Sequence, residues 1–184
     1  MSKTIDVYLV RHGEAQVPWS KGGNSGLSKT GKRQAEQVAK RLLNLSQPQL
    51  ISSPLRRAKE TGYPLGRQLG IEVSVEDRFC EVPLSTDLKI RKDWLQSVST
   101  MRWHQVNESI SRWRSNAWAA LIELRRDTVV FTHFMLINAL VSRATANDGL
   151  VYFEPDYGSI THLRISNDDR CELMSIGQSI AVSS

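Results

Sequence analysis

Ile5-Asp6-Val7-Tyr8-Leu9-Val10 runs directly into Arg11-His12-Gly13-Glu14. The first six residues form an apolar run of strand length, and the tetrad sets an arginine and a histidine together at its end. In α/β sheets, ligands collect at the C-terminal edges of the strands. An imidazole beside a guanidinium in that place suggests a nucleophile waiting for an anion that carries phosphorus. A lone histidine is more often a satisfied structural residue, so the reading depends on what the rest of the chain supplies.

Three further segments supply company. In Ile51-Ser52-Ser53-Pro54-Leu55-Arg56-Arg57-Ala58-Lys59-Glu60-Thr61, Ser53 is expected to cap a helix and Pro54 to occupy its first position. Arg78-Phe79-Cys80-Glu81-Val82-Pro83 puts a carboxylate in a proline-marked loop, and Thr128-Val129-Val130-Phe131-Thr132-His133 is a β-branched strand ending in a second histidine. The wider pattern predicts strands over 4–10, 49–52, 71–75 and 128–132, with helices over 30–45, 54–69, 108–125 and 135–144. A mixed segment spans 83–106, and two last strands fall near 159–165 and 171–176. Such alternation argues an α/β fold, a three-layer α/β/α sandwich with a mostly parallel central sheet.

Taken in this order, the four segments resemble the histidine phosphatase superfamily, the phosphoglycerate mutase-like proteins. Leu27-Ser28-Lys29-Thr30-Gly31-Lys32-Arg33-Gln34-Ala35 is similar to the family's approach to its first helix. Asn107-Glu108-Ser109 with Arg112 resembles a later helix start, and Gly158-Ser159-Ile160-Thr161-His162-Leu163 a late strand. The resemblance covers most of the chain and implies one such domain over residues 1–184. It also implies hydrolysis of phosphomonoesters through a phosphohistidine, with no cofactor and no metal.

On that resemblance His12 is the expected nucleophile. A neutral imidazole attacks with one nitrogen while a backbone carbonyl holds the N–H of the other. Arg11 and Arg57 would grip the phosphoryl oxygens with planar forks. Arg57 is preferred to Arg56 because the family keeps arginine immediately before alanine, here Ala58. His133 would complete the cradle, protonated when phosphate is bound. Glu81 would serve as general acid and then as base, and Glu14 would orient or pair with local basic groups. Two departures stand out. Pro18 occupies a position where mutase-like members often carry asparagine, so Gln16 is the expected substitute phosphate contact, with Asn24 and Ser25 behind it. Phe134 follows His133 where many members have glycine, and it would narrow the pocket or pack under it.

The chain has 184 residues, a length typical of one domain. Its net charge of +5 is spread through helical segments and not gathered into a run, so a nucleic-acid partner is not expected. No signal-like region precedes the first strand and no apolar stretch is long enough for a membrane span, which predicts a cytoplasmic protein without a membrane partner. Cys80 and Cys171 announce neither a disulfide framework nor a metal site.

Substrate choice should lie with residues 17–26, read as a flexible edge of the site, and with 83–106. In the latter, Lys89, Arg91 and Lys92 either recognise a second anion or form a solvated face. Trp94 and Trp103 could wall the pocket, while Trp113 and Trp118 read as core or interface. The short uncharged ending Ile180-Ala181-Val182-Ser183-Ser184 favours hydrolysis over mutase-type transfer. A small phosphorylated metabolite is the expected partner and a phosphoprotein the second. A phosphohistidine protein phosphatase and a non-catalytic phosphate-binding module are the remaining alternatives, and oligomeric state is left open.

Overall fold

The computed structural model describes residues 4–18, 21, 23–84 and 88–177. The elements in chain order are β1 (Ile5–Arg11), α1 (Lys29–Leu42), β2 (Gln49–Ser52), α2 (Arg56–Leu69), β3 (Val73–Val75), α3 (Leu88–Ser97) and α4 (Glu108–Ile122). They are followed by β4 (Thr128–Thr132), α5 (Phe134–Ala144), β5 (Ile160–Ile165) and β6 (Cys171–Ser175).

Strand alternation separates two cores. Val7 and Leu9 of β1, Ile51 of β2 and Val130 of β4 face Ala117 and Leu121 of α4 and Leu136, Ile137 and Leu140 of α5. Their neighbours Val10, Leu50, Val129 and Phe131 face Val38, Ala39 and Leu42 of α1 and Ala58 and Leu65 of α2. Because successive strand side chains point to opposite faces, a strand buried on both is largely apolar, and all five residues of β4 are buried, Val129, Val130 and Phe131 between two threonines. The result is a six-stranded sheet in the order β3-β2-β4-β1-β5-β6, clad by helices on both sides. β3, β2, β4 and β1 run parallel, and β5 and β6 are antiparallel additions.

Local chemistry sets the helix ends. Ser28 accepts from the Gly31 N–H to cap α1, and Asn107 does the same for α4 through Ile110. Helix α2 stops at Gly70, whose φ of 66° is left-handed. Its start corrects the expectation built on Ser53 and Pro54, because α2 begins at Arg56 and Leu55 offers no side-chain cap. Ser53 lies one residue past β2 and its Oγ accepts from the Leu55 N–H at 3.2 Å, while the Arg56 N–H is met from across the chain by Asn24 Oδ1 at 2.7 Å. The segment 83–106, expected to be mixed, contains α3. Helices α1 and α4 end three residues earlier than their patterns suggested, and β3 starts two residues later. Among the described residues no helix is long and apolar enough to cross a membrane.

Parallel pairing fixes where the chemistry-bearing residues emerge. Arg11 pairs with Thr132 and Ser52 with Phe131, so Ser53, His133 and His12 leave three adjacent strands at the same edge. The His12 N–H donates to Thr132 O and the Ser53 N–H to Phe131 O, which carries the ladder one step past the strands.

Candidate active site

His12 is buried at the end of β1. Its Nδ1 lies 2.7 Å from the Gly13 carbonyl. A carbonyl can only accept, so Nδ1 carries the hydrogen and Nε2 presents its lone pair. Arg57, from the first turn of α2, donates its Nε–H to that lone pair at 3.0 Å. Burial, then the Arg57 and Arg11 guanidiniums, hold the His12 pKa well below the usual histidine range. The ring is therefore neutral near pH 7, as a nucleophilic imidazole must be.

The loop that carries His12 is pressed against helices on both sides. Thr61 Oγ1 accepts from the Gly13 N–H and donates to the Arg57 carbonyl, joining nucleophile loop and arginine through one hydroxyl. A Cβ on Gly13 would meet Gly31 O at 2.5 Å, and one on Gly31 would meet Glu14 O at 2.0 Å, so loop and helix α1 touch backbone to backbone. The Glu14 carboxylate accepts from the Ser28 hydroxyl, where a basic partner was expected, and its N–H donates to Gln34 Oε1.

Arg11 lies against two aromatic rings, 4.0 Å from the centre of Tyr157 and 5.2 Å from that of Phe134. Its Nη1 donates to Pro155 O at 2.8 Å. Both arginine pKa values are lowered, chiefly by burial. Arg57 Nη2 and Arg11 Nε are buried without a hydrogen-bond partner, which is costly for a cation unless an anion meets it. Arg56, the neighbour passed over, turns outward and pairs with Glu60.

Glu81 follows a single 3₁₀ turn, Asp77–Phe79, that is anchored by the Thr132 hydroxyl on Phe79 O. One carboxylate oxygen accepts from its neighbour's N–H, Val82, at 2.9 Å, and the other accepts a long 3.4 Å contact from Met135 N–H at the start of α5. Burial raises its pKa above the ordinary carboxylate range against the pull of these donors and of Arg57 and Arg11. Arg11, His12, Arg57 and Glu81 together line a cavity of about 270 Å³.

His133 is fully buried beside them. Its ring meets His12 edge-on at 5.2 Å between centres, its Nε2 lies 2.7 Å from Ser53 Oγ, and its Nδ1 has no partner. Burial, then His12 and both arginines, push its pKa well below the usual range, so without an anion the ring is neutral.

A family model described as histidine phosphatase superfamily (branch 1) matches residues 7–177. The chain belongs to the histidine phosphatase superfamily. A relative from Salmonella choleraesuis (strain SC-B67), named "Probable phosphoglycerate mutase GpmB", is 35% identical over 86 residues, 44% of this chain and 39% of that protein. One of the same name from Photorhabdus laumondii is 34% identical over 84 residues, 42% of this chain and 38% of that protein. The matched region is thus well under half the length of these curated relatives. Among solved structures, a mycobacterial glucosyl-3-phosphoglycerate phosphatase superposes with a TM-score of 0.80 at 21% identity, over 96% of this chain and all of that one. A phosphoserine phosphatase from Entamoeba histolytica does so with a TM-score of 0.74 at 19% identity, over 95% of this chain and 98% of that one.

Within this histidine phosphatase fold, several expected contacts fall elsewhere. Gln16 is exposed, with its N–H on Gly26 O, and does not reach the cavity. Asn24 spends its side-chain oxygen on α2, and Ser25 bonds the Val17 backbone. Neither lines the cavity. Trp103 is core, packed with Val82, Ile110 and Leu150, with Trp94 half-buried against the same cluster. Trp113 and Trp118 pack on the main core. Phe134 does line the cavity. Lys89 is exposed, whereas Trp19, Ser20, Gly22, residues 85–87, the side chains of Arg91 and Lys92, and residues 178–184 lie outside the described set. Ser53 and Tyr157 are members of the site that sequence reasoning missed. The two serines before Pro54 were the only signal for Ser53, and nothing pointed to Tyr157.

Proposed function

We propose that the protein is a metal-independent phosphatase that hydrolyses phosphomonoesters through a phosphohistidine on Nε2 of His12. The observation that carries this is the hydrogen-bond state of that imidazole. Nδ1–H is fixed on Gly13 O, and Nε2 carries its lone pair toward the Arg57 guanidinium, whose Nη2 is buried without a partner. A phosphoryl group entering between Arg11 and Arg57 would draw the Arg57 N–H onto its oxygens and release the lone pair for in-line attack. Two cations spread along the equatorial oxygens supply the charge stabilisation such a transition state needs.

In the first step the Nε2–P bond forms, the ester P–O bond breaks, and Glu81 gives its proton to the leaving alkoxide. In the second, Glu81 as carboxylate takes a proton from water, the resulting hydroxide attacks phosphorus, the P–N bond breaks and inorganic phosphate leaves. Glu81 ends protonated, as it began. Its raised pKa suits this exchange. His133 would add a further donor through Nδ1, becoming protonated beside a phosphate dianion. A cavity of about 270 Å³ favours a small phosphorylated metabolite over a protein surface. The neighbours described as phosphatases support hydrolysis.

Phosphoryl transfer of the mutase type is the second reading, favoured by the name of the curated relatives. The test is phosphate release from a panel of phosphomonoesters by wild type and His12→Ala, with EDTA present, together with product analysis on 3-phosphoglycerate. Release by wild type alone supports the proposal. Isomerised 3-phosphoglycerate without release selects the mutase, and a loss of activity with EDTA refutes the metal-free mechanism.

A further inference from the structure

The lining of the cavity combines two chemistries. Beside Arg11, His12, Arg57 and Glu81, its wall among the described residues is Ala15, Val98, Phe134, Met135 and Tyr157. Phe134 and Met135 come from the first turn of α5, Val98 lies just past α3, and Tyr157 precedes β5. This wall is backed by packed structure. Val98 and Met135 belong to the cluster that contains Trp103, Ile110 and Leu150, and the Phe134 and Tyr157 rings are both held against the Arg11 guanidinium. It therefore has little freedom to turn a polar group inward.

Arg11 and Arg57 are committed to the phosphoryl oxygens in the proposed reaction, and the remaining charged member of the lining, Glu81, would repel an anion whenever it is ionised. A carboxylate or second phosphate on the leaving alcohol would lose its water against this wall and, among the described lining residues, meet no cation beyond Arg11 and Arg57. An aromatic or aliphatic group would instead bury apolar surface and stack on the two rings. Burying an unpaired charge in an apolar pocket is costly, and discrimination on that basis should at least match the roughly tenfold to two-hundredfold that a single methylene yields.

We infer that the site selects small phosphomonoesters of an uncharged aromatic or apolar alcohol over those carrying a second anionic group, with Phe134 and Met135 determining the choice. The inference rests on the phosphatase reading above. Benzyl phosphate, glycerol 1-phosphate and 3-phosphoglycerate are alkyl esters of similar intrinsic reactivity, so kcat/KM across the three reports the pocket and not the leaving group. The expected order is benzyl, then glycerol 1-phosphate, then 3-phosphoglycerate, with about a hundredfold or more between first and last. Phe134→Ala and Met135→Gln should each reduce the ratio of benzyl to glycerol ester about tenfold. Val98→Arg should narrow the gap between benzyl phosphate and 3-phosphoglycerate by placing a cation in the apolar wall. Equal or better use of 3-phosphoglycerate by wild type overturns the inference while leaving the phosphatase reading intact. No phosphate release from any ester, p-nitrophenyl phosphate included, overturns the phosphatase reading and the inference with it.

Discussion

Arg57 holds the lone pair of His12 Nε2 at 3.0 Å, so the nitrogen proposed to attack phosphorus is bonded to the group proposed to bind the phosphoryl oxygens. Binding and activation are thereby one event. Arg57→Gln should lower kcat/KM about a hundredfold to a thousandfold, the usual effect of removing one transition-state donor. Because Arg57 is the second cause, after burial, of the depressed His12 pKa, the same substitution should raise that pKa in an NMR titration. An unmoved His12 titration would show that the contact has no electrostatic weight.

Glu81→Gln keeps the shape and the backbone contacts but not the proton. It should slow benzyl phosphate about a hundredfold or more while leaving the burst on p-nitrophenyl phosphate, whose leaving group scarcely needs an acid, much less affected. Equal loss on both esters would remove Glu81 from the acid role.

His12 and His133 are both held neutral by burial and by neighbouring cations, whereas in the unfolded chain a histidine titrates near ~6.5. The folded state therefore binds fewer protons than the unfolded one. The stability these groups contribute is present above that pH and is lost as the pH falls through it, by up to about 1.4 kcal/mol per pH unit for each histidine. Glu81 runs the other way, since its raised pKa stabilises the fold at low pH and is a liability once it ionises. Urea unfolding between pH 7 and 5.5 should show declining stability in wild type and a shallower decline in His133→Gln. Identical slopes would mean that His133 is not kept neutral.

Ser53 is expected to act through His133. Ser53→Ala removes the hydroxyl 2.7 Å from Nε2 and frees the ring to change tautomer. kcat should fall about tenfold with a smaller change in KM, since uniform binding is not what is lost. Ser53→Thr should restore part of the rate, and failure of both variants in equal measure would assign the serine to packing alone.

Asn24 offers a test of opposite sign. Its oxygen caps the Arg56 N–H, so Asn24→Ala should destabilise the protein by about 1 kcal/mol in urea unfolding. KM for phosphomonoesters should change little, and a large rise would return Asn24 to the phosphate site.

The parts of the site that could be read from sequence are those whose position follows from local pattern. Val7, Leu9 and Val10, or Val129 to Phe131, announce a strand, and whatever follows them lies at the sheet's ligand-binding edge; His12 and His133 were legible for that reason. Arg57 was legible from its neighbour Ala58, whose small side chain is buried against β4. Tyr157 was not, because its place over Arg11 is made by a contact spanning most of the chain. The cap of α2 differs from the expectation because Ser53, the local candidate, reaches only the Leu55 N–H and His133, while the oxygen on the first helical N–H arrives from Asn24, 32 residues earlier. Trp103 shows the same limit. Whether its ring walls a cavity or fills a core depends on Ser142, which accepts its indole N–H.

The backbone contact between Gly13 and Gly31 has an evolutionary consequence. Gly31 carries no charge, sits on the first turn of α1 and takes no part in phosphoryl chemistry, yet a single methyl there would collide with the Glu14 backbone, two residues past the nucleophile. In a saturation library screened for phosphate release, position 31 should tolerate as little as position 12, so a map of intolerance would mark a helix start as though it were a reactive residue.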